Sequence, residues 1–320
     1  MRARLAMAML CGSAVFLGAL MLGPTTILPW GMTDVERQVM LSIRLPRVAV
    51  GALMGAALGA SGAALQGMLR NPLADPYILG LSSGATLAAA GGLMAGLTFL
   101  GPLTIPALAF GGAMATGLIV GVMGYRGGGI WPERLLLAGI GIGFMLSAAL
   151  MLMMSLSSSE GLKRAVLWIF GDLGIAGWSL VPMGGALIGI GMGLALWRAR
   201  ALNTLVLGED LSHSLGFSPR REAGVLFVAV GLMTAASVSL GGMVGFIGLL
   251  VPHIMRALVG PDHRVLIPAA AVGGGALLVV SDLIGRTVAS PAEIPAGIVT
   301  ALIGAPYFLY LLRRRDILGA

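Results

Sequence analysis

The chain has 320 residues, 58% of them hydrophobic and only 10% charged, and its mean hydropathy is +0.97. Soluble domains carry about 25% charged residues, so this composition excludes a soluble fold and makes a bilayer the solvent. The net charge of +7 rests on 19 Arg and a single Lys, Lys163, and their places beside apolar runs point to cytoplasmic membrane flanks rather than to nucleic acid.

Only helices and closed barrels satisfy every backbone polar group in lipid. Aromatics make up 6%, and no turn-separated alternation marks the strands of a barrel. An all-α polytopic membrane protein is therefore expected. A hydrocarbon core of about 30 Å needs roughly 20 helical residues. On that ruler the spans fall at 5–28, 46–66, 80–100, 103–124, 134–156, 179–198, 223–241, 243–259, 265–284 and 296–312. Arg2 and Arg4 before an apolar run give the first segment the outline of a signal peptide. No small-x-small cleavage site follows it, and the run is long enough to span, so a first transmembrane helix is expected. Asn71-Pro72, Asp75-Pro76, Gly101-Pro102, Gly127-Gly128-Gly129, Trp131-Pro132, Ser218-Pro219 and Ser290-Pro291 mark breaks.

The apolar stretch 223–260 is too long for one helix, and Gly241-Gly242 lies at its middle. The arginines decide between one span and two. With ten helices and the N-terminus inside, only Arg37, Arg44, Arg47, Lys163, Arg164 and Arg286 lie outside and the other 14 basic residues inside; with nine, the split is ten and ten. The positive-inside rule favours ten spans with both termini cytoplasmic. Small residues recur every four positions at Gly51, Gly55, Gly59 and at Gly185, Gly189, Gly193, with shorter pairs at Gly139, Gly143 and Gly241, Gly245. Such ridges let helix backbones approach closely, chiefly within one subunit and otherwise along a dimer seam.

Residues 199–222 form the longest polar stretch. Leu202, Leu205, Val206, Leu211 and Leu215 are apolar there, Gly208 and Gly216 punctuate, and Glu209 and Asp210 suit a helix N-terminal turn. Two short amphipathic helices under the membrane are expected, either resting on lipid or gripped by a cytoplasmic protein. The central acids fit a protein better than anionic lipid.

No phosphate-binding loop surrounds Lys163, and no HExxH or CxxC pattern occurs. Cys11 is alone and has no partner for an internal disulfide. His213, His253 and His263 read as structural or interfacial residues. No cofactor is expected on this chain. Asp282 is the one acid inside a span, with Arg286 one turn on. That pair satisfies itself, or it serves an ion-coupled secondary carrier. A lipid enzyme would have to build on His253 and Asp282.

Four stretches carry a family resemblance. RLPRVAVGALMGAALGASGAALQGMLRNPLADPYILGLSSGA (44–85), GFIGLLVPHIMRALVGPDHRVLIP (245–268), DLIGRTVASPAEIPAGIVTALIGAPYFLYLL (282–312) and LGEDLSHSLG (207–216) resemble blocks of the FecCD family. These are permease subunits of ABC importers for iron–siderophore complexes, haem and vitamin B12. The resemblance implies the type II importer permease fold of ten transmembrane helices in a bacterial inner membrane. It implies a second permease copy, two ATPase subunits that hold ATP and Mg, and a periplasmic binding protein. It assigns Leu207, Gly208, Glu209, Asp210, Leu211, Leu215 and Gly216 to ATPase coupling. Arg44, Arg47 and Arg286 would receive acids of the binding protein. The pathway between two permeases would be lined by the fifth helix through Gly139, Gly143, Met145 and Ser147, and gated by Ser82, Ser83 and Gly84. The serine pair departs from the serine–asparagine of some relatives.

Overall fold

The computed structural model describes residues 2–313 except 24, 28, 29 and 158, with the backbone alone at 2–6, 159, 311 and 312. Arg314, Arg315 and the end of the first expected span, at Leu28, lie outside the described residues.

The chain is a bundle of helices: α1 (Arg2–Met21), α2 (Asp34–Val39), α3 (Leu45–Met68), α4 (Leu81–Met94), α5 (Thr104–Gly124), α6 (Pro132–Ser155), α7 (Ser159–Ile169), α8 (Leu180–Trp197), α9 (Ala199–Val206), α10 (Glu209–Ser214), α11 (Pro219–Gly241), α12 (Ile247–Val259), α13 (His263–Val288) and α14 (Ala296–Arg313). Each of the ten expected segments holds one of the apolar helices. Among the described residues six runs are long and apolar enough to cross a membrane, and four shorter apolar helices have 10–17 residues.

Local chemistry explains the boundaries. Thr33 and Glu36 form a capping box that starts α2. A π-helical turn, Met40–Arg44, joins α2 to α3 immediately before Pro46. Pro46 has no N–H for the Ser42 carbonyl and its ring crowds it, and a widened turn relieves both conflicts. Gly127 and Gly128 take φ values of +59° and +90° and turn a two-residue hairpin, β1 (Tyr125–Arg126) against β2 (Gly129–Ile130). Between α11 and α12 the helix stops at Gly241-Gly242 and resumes only at Ile247. The glycine pair thus divides the long apolar stretch, but α12, at 13 residues, is shorter than a full-length span.

The helices α3 and α11 are buried along most of their length, whereas only about a quarter of α5, α6 and α8 is buried. The Gly55–Gly59 ridge explains the centre. A Cβ on Gly55 would collide with the Gly274 carbonyl oxygen, and one on Gly59 with that of Ala270. Helices α3 and α13 therefore meet backbone to backbone. Gly62 meets the Gly248 carbonyl of α12 in the same way. The second ridge differs from the expectation of packing within the subunit. Gly185, Gly189 and Gly193 of α8 have nothing within 4 Å of a built Cβ. A four-residue spacing shows that one helix face is small; it does not show that a neighbour covers it.

Candidate functional site

Residues 199–222 lie at one end of the bundle. In α9, Ala201, Leu202 and Leu205 are buried, and Leu202 packs against Gly67 near the end of α3. The next helix turns the other way. Leu207, Leu211 and Leu215 are 66%, 44% and 55% exposed. Gly208 and Gly216 bracket α10 at φ values of +121° and +85°, which L side chains rarely adopt. Three polar contacts fix α10 and the base of the segment. Thr204 Oγ1 and Ser212 Oγ share a hydrogen bond of 3.2 Å, Arg70 pairs with Glu209 at 3.4 Å, and Arg198 pairs with Glu222 at 3.3 Å. Asp210 is exposed and its backbone carbonyl accepts from Ser214 Oγ. The segment thus presents an apolar, acid-flanked face on a fixed support.

Sequence reasoning passed over the joint between this segment and α13. Asn203 on α9 donates to Asp262 Oδ1 at 2.8 Å and accepts from the His263 backbone N–H at 2.9 Å. Asp262 also caps α13 and meets Arg264 at 2.9 Å. Hydrogen bonds from Arg264 and Asn203 hold its carboxyl down at about 2, against a smaller opposing effect of burial. A cap before an apolar run is visible in sequence, but its partner 59 residues upstream is not.

The expected gate residues divide between two interfaces. Ser83 Oγ and Ser147 Oγ lie 3.4 Å apart, linking α4 to α6, and a Cβ on Gly143 would lie 3.6 Å from Ser83 Oγ. Gly139 lies against the Ile78 carbonyl and Leu79, so it packs on the connection into α4. Ser82 is buried, and Gly84 faces Gly112 and Thr116 of α5. Met145 is on the open side of α6 with Leu137, Ile140 and Phe144, all exposed.

In the connection from α3 to α4, Asp75 accepts from the Tyr77 N–H at 2.9 Å and starts a 3₁₀ turn, Pro76–Leu79. Burial pushes its carboxyl up to about 6, against the pull of that hydrogen bond. The folded state therefore holds this proton more tightly than the unfolded chain. Stability falls as pH rises between about 4 and 6 and is flat above. Asp75→Asn keeps the capping oxygen and removes the charge. Its melting temperature in detergent should exceed the parent's above pH 6 and match it below pH 4. An equal difference at both pH values would refute the ionic origin.

The three arginines expected on the outer face are engaged within the subunit. Arg44, 5% exposed, donates to the carbonyls of Leu20, Met21 and Thr25. Arg286, 4% exposed, donates to the Ala19 carbonyl. Both therefore satisfy carbonyls that the end of α1 leaves open. Arg47 grips Asp282 with two nitrogens, at 3.0 Å and 2.8 Å, and meets the half-exposed Glu293 at 2.9 Å. The pairing expected of Asp282, with Arg286 one turn on, is present but longer at 3.6 Å.

The chain is similar to several known proteins. The chain is 40% identical over 308 residues to the hemin transport system permease protein HmuU of Yersinia pestis, covering 93% of this chain and 90% of that one. It is 39% identical over 290 residues to the cobalamin import system permease protein BtuC of Halobacterium salinarum, covering 91% and 77%. It is 40% identical over 286 residues to the Fe(3+) dicitrate transport system permease protein FecD of Escherichia coli, covering 89% and 88%. A solved metal-chelate type ABC transporter in an inward-facing conformation superposes with a TM-score of 0.90 at 27% identity, covering 98% of this chain and all of that one. Residues 5–314 match the FecCD transport family across the apolar helices and the segment between α8 and α11, and the chain belongs to that family.

Proposed function

We propose that this chain is the membrane-spanning subunit of an ATP-driven importer for a metal chelate, with iron chelates first among the substrates. Two copies assemble with their pathway on the two-fold axis, in a bacterial inner membrane. Ten helices cross in each copy, and both termini are cytoplasmic. A separate ATPase pair binds ATP and Mg, and a periplasmic protein delivers the cargo. The chain itself performs no catalysis. The observation that carries this reading is that Leu207, Leu211 and Leu215 are all exposed on a segment bonded into the bundle. Exposed leucines on an ordered cytoplasmic support fit a groove in a partner protein.

On the opposite end, an acid of the binding protein reaches Arg47 by exchanging with the half-exposed Glu293. Arg44 and Arg286 stay on α1 and add positive field. The test is uptake into proteoliposomes holding the permease, its ATPase and its binding protein, with haemin, a ferric siderophore and cobalamin offered in turn. Uptake of one of these that requires ATP is the expected result. Uptake driven by a proton gradient with no ATPase present would overturn the importer reading.

The exposed face of α6 makes a second expectation. Single cysteines at 141, 144, 145 and 148 all lie on its open side. In the native membrane at least one of them should give a disulfide-linked dimer under mild oxidation. Failure at all four positions would remove α6 from the dimer axis.

A further inference from the structure

One side-chain amide joins the coupling segment to the start of α13. Asn203 donates through its nitrogen to Asp262 Oδ1 at 2.8 Å, and its oxygen lies 2.9 Å from the backbone nitrogen and 2.8 Å from the imidazole Nδ1 of His263. The amide cannot be turned round, because its oxygen would then face a carboxylate. An amide oxygen has no hydrogen to give, so His263 carries its proton on Nδ1. Its Nε2 is buried without a hydrogen-bond partner and points at Gly67, where a Cβ would lie 2.6 Å away. No side chain larger than a hydrogen fits between the ring and α3.

We propose that Asn203 is a positioning residue for ATP-driven transport: it locks the coupling segment to the start of α13 and, through the His263 ring, to the inner end of α3. The proposal rests on the coupling role given to residues 207–216 above. Movement of α10 then reaches the bundle as a displacement of α9, α13 and α3 together. The outer parts of α3 and α13 follow, because Gly55 and Gly59 set the two backbones in contact. The other ties differ: the Arg198–Glu222 pair joins the base of the segment to α11 and does not reach α13. The Arg70–Glu209 pair is exposed and 3.4 Å long, and such pairs contribute little. Leu202 on Gly67 is an apolar contact without directional restraint.

The experiment uses the complete transporter in proteoliposomes and measures cargo imported per ATP hydrolysed. Asn203→Asp sets two carboxylates where the 2.8 Å hydrogen bond now lies. ATPase binding and ATP hydrolysis should persist, while import per ATP falls roughly tenfold or more, the scale of one lost hydrogen bond to a charged group. Combining Asn203→Asp with Asp262→Asn returns one donor and one acceptor with their places reversed. The exchange should restore the ratio. The Arg264 backbone N–H caps on the same Oδ1 that now receives Asn203, so the exchange gives up that cap, and Asp262→Asn alone measures its cost. A merely structural role would lower the amount of folded protein without changing the ratio. If Asn203→Asp does not fold, Asn203→Ala carries the same expectation. Parental coupling in the folded single variant, or no recovery in a folded exchange, overturns the proposal. Loss of the coupling reading is recognised separately, by unchanged ATPase binding after Leu211→Asp with Leu215→Asp.

Discussion

Replacing Leu211 and Leu215 together with Asp should release the ATPase while leaving the permease folded. Both side chains project from the α10 segment and are 44% and 55% exposed, so neither supports the bundle. They are four residues apart and share a helix face. Enclosed in a partner's groove, each contributes about 1.5–3 kcal/mol of apolar burial. Losing both corresponds to at least about a hundredfold weaker association, before any cost of burying the new charges. The support of α10 is untouched, because Ser212 still bonds Thr204 and Glu209 still pairs with Arg70. Pull-down of the ATPase and ATP-driven uptake should therefore fall together, with an unchanged melting curve. A double variant that retains the ATPase at parental affinity would make α10 a helix that rests on lipid.

The segment was legible because its polarity breaks a chain that is otherwise apolar, and because Gly208 and Gly216 mark its two turns. The apolar helices were legible for the same reason, since each expected segment holds one, although among the described residues only six runs are long and apolar enough to cross a membrane. Sequence also located the Gly55–Gly59 contact, although it gave equal weight to the ridge on α8, whose glycines no element among the described residues covers. The difference lies in tertiary placement, since α3 is central and α8 peripheral. The ionic arrangement was the least legible. Asp282 suggested Arg286 because the two are one turn apart, yet its short contacts come from Arg47, 235 residues away. Arg286 turns instead to a carbonyl of α1, 267 residues away. Charge counting placed the three arginines at one end of the bundle but carried no information on which way each side chain faces. Asn203 was invisible for a related reason. A single amide has no pattern, and only the fold brings it to the start of α13.

Asp282→Ala should destabilise the permease severely, and any loss of uptake should follow the loss of folded protein. Its carboxylate accepts two nitrogens of Arg47 and lies 3.6 Å from Arg286. The side chains of Asp282 and Arg286 are about 95% enclosed. Removing one partner of a buried ionic cluster costs about 3–5 kcal/mol, because the remaining charges stay buried without compensation. Here two guanidinium groups lose the same carboxylate. Glu293 is the nearest replacement for Arg47, but it is half exposed and already 2.9 Å away, so it adds little that is new. The end of α1 should loosen as well, because Arg286 holds the Ala19 carbonyl and shares the cluster. Thermal unfolding in detergent checks the first expectation, and uptake normalised to folded protein checks the second. This variant also separates the importer from an ion-coupled carrier. A carrier that cycles protons through Asp282 would give a variant whose folded fraction shows no uptake at all. In the importer the carboxylate is a fixed counter-ion, so the folded fraction of the variant still imports cargo when ATP is supplied.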